Sequence, residues 1–169
     1  FVSPGSNESP YVWEEIPFNP PCPFNQGIQV PGLTSDDVWG SMVSLNYATP
    51  GASIPFTFDF YGETYENCQI GANGLIAFFK EGFGQQYTQG SNCSYTQENN
   101  GPIPTGSRFK NCIMVPYYDI NFGINGQVYF QVIGEYPCRK MVLSYYQVPM
   151  YSCTSQIATH MAVLYESSN

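Results

Sequence analysis

An all-β fold, an antiparallel β-sandwich of jelly-roll-like type braced by disulfides, is predicted by three features of the sequence. Aromatic residues make up 17% and charged residues only 11% of the 169 residues, against about 25% charged in ordinary soluble domains. Helices need Lys, Arg and Glu for their wetted faces, and the chain has five Lys and Arg in all. Tyr, Phe, Thr and Val favour strands instead, with Ser, Asn and Gln left to supply the solvated surface. Short runs of period-two alternation recur between Gly and Asn turn signals, the pattern of a sandwich or barrel. The cysteines are even in number, six, and no two are spaced as C-x-x-C, so disulfides are expected rather than a metal site.

Residues 1–33 hold seven of the fourteen prolines. Proline fixes φ and removes a ladder donor, so this segment reads as an extended arm packed on the body or linking to it. Within it Tyr11, Val12, Trp13 and Ile16 fit one docked strand. The sandwich body is expected over 34–169, opening at Asp36-Asp37-Val38-Trp39, with Met42, Val43 and Leu45 on a short strand. Residues 55–60 alternate apolar and polar and form the next. Tyr61-Gly62-Glu63 is a turn, 64–70 a further strand, and Asn73-Gly74 reads as a two-residue hairpin turn before a strand at 75–79. A long polar loop follows at 80–110, of a length that is usually functional or mobile. Strands are then expected at 113–118, at 127–133 after an Asn125-Gly126 turn, at 141–148 and at 156–166. The length suits a single domain.

The formal net charge of −8 argues against nucleic acid, because phosphate binding needs clustered Lys and Arg. It also argues against an anionic membrane surface, and no apolar run is long enough to span a bilayer. Phe1 starts without a basic or apolar leader segment, which suggests a processed form or one domain of a longer protein. Three disulfide pairings are expected. Cys138 and Cys153 flank a strand-like run and would close a short loop, worth roughly 3 kcal/mol in the chain-entropy account. Cys68 and Cys112 sit in two short strand-like runs and would face each other across adjacent strands. Cys22 with Cys93 follows by elimination.

Two groups of residues are candidates for a site. Asp36, Asp37 and Asp119 lie on loops or at a strand end, where carboxylates can hold a hard cation; Ca²⁺ is the one cofactor they suggest. Turn capping by Asp through its own backbone is the competing account. Phe83, Tyr87 and Tyr95 stand in the polar loop among Gln and Asn, and Tyr118 and Tyr145 each neighbour a second Tyr along a strand. Exposed rings rimmed by amides suit glycan or partner contact, although most such rings fill a sandwich core. His160 has no Ser or Cys partner in an identifiable motif and is expected at the surface of a strand. Glu14 and Glu15 are direct neighbours, a poor arrangement for flanking one scissile bond. No catalytic residue is assigned.

Several short motifs occur in a consistent order along nearly the whole chain. They include Ser9-Pro10-Tyr11, Asp36-Asp37-Val38-Trp39, Phe60-Tyr61-Gly62, Ile70-Gly71-Ala72-Asn73-Gly74 and Val115-Pro116-Tyr117-Tyr118-Asp119. Pro137-Cys138-Arg139-Lys140, Met150-Tyr151-Ser152-Cys153 and Val163-Leu164-Tyr165-Glu166 complete them. In these the chain resembles a module of very large cell-surface proteins of Bacteroidota that are exported by type IX secretion, among them gliding adhesins. The resemblance implies a non-enzymatic extracellular module, a stalk or adhesive unit whose partners are neighbouring domains or subunits of the same surface protein. It transfers no catalytic residues. Glycan binding through the loop aromatics, and self-assembly into a filament by strand addition, are the two alternatives.

Overall fold

The computed structural model describes residues 19–46, 54–94 and 109–167. The expected docked strand around Tyr11–Ile16, the candidate Tyr95 and the second half of the polar loop lie outside them. The described residues contain strands and turns and no helix. One sheet has four strands in the order β1 (Ile28–Gln29), β9 (Gln127–Ile133), β10 (Lys140–Met150) and β11 (Cys153–Tyr165). The second sheet runs β2 (Trp39–Ser44), β5 (Asn67–Gly71), β6 (Leu75–Lys80) and β7 (Phe83–Gly84), and β8 (Cys112–Met114) also pairs with β6. A small hairpin of β3 (Phe58–Phe60) and β4 (Glu63–Tyr65) stands apart from both. The all-β sandwich is therefore observed. The arm takes part in it, since Ile28 and Gln29 pair with Phe130 and Tyr129.

Alternation along the strands builds the core. Met141, Leu143 and Tyr145 of β10, with Val128 and Phe130 of β9, join Trp39, Val43, Ile70, Ile76 and Phe78 of the other sheet in one buried cluster. The Tyr145 hydroxyl crosses between sheets to donate to the Gly71 carbonyl at 3.2 Å. Trp39 is fully buried; its ring stacks on Tyr87 at 4.0 Å and meets Phe109 edge-on. Burying an aromatic of this kind contributes about 3 kcal/mol relative to leaving it in water.

Three elements differ from expectation. Residues 64–70 are not one strand: Thr64 and Tyr65 pair with β3, and the chain then bends so that β5 joins β2 and β6. The turn between β5 and β6 is not a two-residue Asn-Gly turn. Gly71 pairs with Leu75, which leaves Ala72, Asn73 and Gly74 between them, and only Gly74 has a positive φ, 78°. Any side chain at Gly74 would place its Cβ 2.0 Å from the Pro116 carbonyl oxygen. The strand expected at 113–118 ends at Met114, where Pro116 interrupts the ladder.

None of the expected disulfides is formed, and the topology gives the reasons. Cys138 precedes the end of the β10–β11 hairpin where Lys140 pairs with Tyr165, whereas Cys153 pairs with Met150 at the other end. At about 3.3 Å per residue the two lie about 35 Å apart, far beyond the 7 Å Cα separation a disulfide spans. Cys68 is opposite Phe78 and Cys112 is opposite Ala77, on either side of β6. They are thus separated by a strand and point to opposite faces. The Cys22 sulfur accepts a hydrogen bond from Gln131 Nε2 at 2.9 Å, while Cys93 is fully buried and its amide donates to Asp37 O.

A buried ion pair closes the sandwich at one end. The Arg139 side chain is 4% and that of Glu166 10% exposed, and the guanidinium grips the carboxylate through both Nε and Nη2. Arg139 also donates to the carbonyls of Ile54 and Pro55 at 2.8 and 2.9 Å and lies over the rings of Phe56 and Tyr136. The start of β10, the end of β11 and the segment entering β3 are tied at one residue. Burial of a charge is costly unless it is paired, and here every arm of the guanidinium is used. Glu166→Gln, which leaves the cation without its counter-charge, is expected to lower stability by about 3 kcal/mol in urea denaturation, and Arg139→Met with Glu166→Leu together by clearly less than the sum of the single changes.

Candidate functional site

Of the sequence-predicted site residues, the three acids come together. Asp36 bridges to Asn121, Asp37 adopts φ 53°, and the Asp119 carbonyl accepts from the Tyr151 amide. These contacts draw one carboxylate oxygen from each of Asp36, Asp37 and Asp119 to within 4.8 Å of one another. Asn73 holds the loops in place. Its Nδ2 donates to Asp37 Oδ1 at 2.7 Å and to Cys93 O at 3.3 Å, and its Oδ1 accepts from the Ile120 amide at 2.9 Å. Asn73 is fully buried, so a residue that reads as a turn former acts as the pin beneath the acids.

Burial, and then the neighbouring Asp37 and Asp119, push the Asp36 carboxyl up to about 6. Burial and Asp37 raise Asp119 in the same direction. Asp36 Oδ1 is buried without a hydrogen-bond partner. A cluster of this kind has two ways to relieve its repulsion: take up a proton, or take up a hard cation.

The aromatic candidates separate. Tyr87 belongs to the core: it is 9% exposed, stacks on Trp39, and its hydroxyl accepts from the Lys110 amide. Its backbone is held on both sides by buried Gln69. Tyr118 is half-buried with its hydroxyl unpartnered, beside His160 at 5.8 Å. Phe83 is 47% exposed, with Lys80 Nζ 4.9 Å from its ring centre. His160 is half-buried rather than exposed. It pairs with Tyr145 across β10 and β11, stacks on that ring at 4.7 Å and 13°, and burial lowers it to about 4.

Sequence reasoning missed Asn73, Gln69 and the Arg139–Glu166 pair as structural ties. A signal was present: in a chain with five Lys and Arg, an Arg inside a strand-flanking motif is out of place on a merely solvated surface.

A family described as NIDO related matches residues 22–169. The chain belongs to this NIDO-related family. The match begins within the proline-rich arm and includes both sheets, the acid cluster and the Arg139–Glu166 pair. A search of curated proteins and a search of solved structures each found no match. Family membership is that of an extracellular-type module and is compatible with a non-enzymatic role. No helix among the described residues is long and apolar enough to cross a membrane.

Asp36 and His160 titrate in the same pH window with opposite effects. The folded value of Asp36 lies above its ordinary value of 3.8, so its contribution is fully present below that value and is lost as pH rises through about 6. His160 is depressed from 6.5 to about 4; the unfolded chain binds the extra proton, and stability is lost as pH falls across that interval. Measured against wild type by urea denaturation, Asp36→Asn should therefore gain about 1–2 kcal/mol on going from pH 4 to pH 7 without added cations. His160→Phe should gain a similar amount on going from pH 7 to pH 4.

Proposed function

We propose that the chain is a non-enzymatic extracellular module, a stalk or adhesive unit of a large bacterial surface protein or filament. The observation that carries this reading is how the buried polar side chains are used. Asn73 and Gln69 each spend their hydrogen bonds on the backbone of two other segments, Arg139 spends its own on the Ile54–Pro55 backbone and the Glu166 carboxylate, and His160 is stacked against a core ring. Polar groups committed in this way hold loops together; they are not left poised toward a substrate. Membership of the NIDO-related family is compatible with the reading. The resemblance to modules of gliding adhesins, and with it a Bacteroidota source, type IX export and a place at the cell surface, belongs to the same proposal. Its partners are then neighbouring domains or subunits.

Within that reading the Asp36–Asp37–Asp119 cluster would take Ca²⁺ as its cation, held by loops that Asn73 fixes in position. Saturating Ca²⁺ should raise the melting temperature of the wild-type chain at pH 7 and leave Asp36→Asn unchanged. An equal shift in both proteins, or in neither, assigns the cluster to turn capping and protonation.

Purified chain incubated with peptide and polysaccharide substrates, with and without Ca²⁺, is expected to release no product above a buffer control. Release that one point substitution abolishes, in a variant of unchanged melting temperature, would overturn the non-enzymatic reading.

A further inference from the structure

The hairpin of β3 and β4 turns at Tyr61-Gly62, because Phe60 pairs directly with Glu63. Both turn residues have positive φ, 51° and 81°, which is the two-residue turn that favours Asn-Gly. A bulky residue with positive φ is a genuine outlier, and backbone strain of this kind clusters at ligand-binding and switch sites. The Tyr61 side chain is 86% exposed, more than any other large apolar side chain among the described residues. Its ring meets Phe60 at 4.6 Å and 64°, a contact that leaves most of the ring in water. The fold would be served better by Asn at this position.

The surroundings of Tyr61 define what could bind there. Glu63, across the turn from Phe60, pairs with Lys80 at 2.5 Å, both side chains about one-third exposed. Lys80 Nζ in turn sits 4.9 Å from the half-exposed Phe83 ring. Tyr61, Phe60, the Lys80–Glu63 pair and Phe83 thus follow one another in a strip of rings interrupted by one donor and one acceptor.

We propose that this strip binds a neutral polysaccharide. Exposed rings stack on the flat C–H face of a pyranose, and the ion pair offers a donor and an acceptor to its hydroxyls. An acidic glycan is disfavoured, because the Lys80 charge is already matched by Glu63 and the whole chain carries −8. β-1,4-linked glucans and xylans, whose equatorial linkages keep successive rings flat, fit the chemistry best. The inference deepens the adhesive reading above by naming its ligand class and site.

The test is affinity electrophoresis of the whole chain in native gels containing hydroxyethylcellulose, xylan or, as an anionic control, chondroitin sulfate, with melting temperatures measured alongside. Retardation is expected in at least one neutral gel and none in the sulfated one. Tyr61→Asn should weaken that retardation at least about tenfold while raising the melting temperature, since it relaxes the turn. Phe83→Ala should also weaken it, with the melting temperature nearly unchanged. Undiminished binding by Tyr61→Asn, absence of binding in every neutral gel, or loss of self-association in Tyr61→Asn without any glycan effect would overturn the proposal. The first of these outcomes leaves an adhesive module with its ligand elsewhere. Cleavage of a bound glycan would instead overturn the non-enzymatic reading and leave the site standing.

Discussion

The side chain of Asn73 is the constraint on which the organisation of this molecule rests. It projects from the three-residue turn between β5 and β6, fully buried, and ties three loops that are remote in sequence, at Asp37, Cys93 and Ile120. A buried amide that satisfies backbone groups is worth more than its net hydrogen-bond energy suggests, because its loss leaves donors and acceptors stranded away from water. Sheets of this kind are held by apolar contact, which is non-directional. Loops that carry few apolar residues need a directional tie, and Asn73 supplies it where the Asp36, Asp37 and Asp119 carboxylates meet.

A second tie of the same nature acts through charge. The chain uses few charged residues, and among the described residues it buries one pair, Arg139 with Glu166. The arrangement joins the first residue pair of the long β10–β11 hairpin to the segment entering β3. In a sandwich without a disulfide brace among its cysteines, polar clamps of this sort take over the task of fixing strand ends. They also account for the two motifs, around Arg139 and around Glu166, that stand far apart in the sequence and next to each other in space.

Much of this was legible in the sequence. Aromatic-rich, charge-poor composition and period-two runs point to an all-β sandwich, and the adjacent Asp36 and Asp37 and the distant Asp119, singled out from the sequence, do converge. What failed were inferences that need register. Cys138 and Cys153 look close in sequence because a hairpin separates them, but a long hairpin puts its two flanks at opposite ends. Cys68 and Cys112 lie in strands that flank a third, and the period-two rule then sends their side chains to different faces. Tyr87 shares its amide-rich setting with exposed loop aromatics, yet the Trp39 ring and the Gln69 amide draw it inward. Asn73 was recognised for its backbone when its side chain mattered, since a turn signal gives no information on what a short side chain reaches. Tyr61 shows the reverse case: its local sequence breaks the preference of its own turn, and that breach points to the surface rather than the core.

Buried polar ties, with Asn73 foremost, organise the loops of an otherwise apolar sandwich. Amide hydrogen exchange of Asn73→Ala, compared residue by residue with wild type, tests it most directly. The Cys93 and Ile120 amides and their neighbours on the three tied loops are expected to lose protection together, while the paired amides of β9 and β10 retain theirs. Unchanged protection at those loops, or an equal loss spread over both sheets, would contradict it.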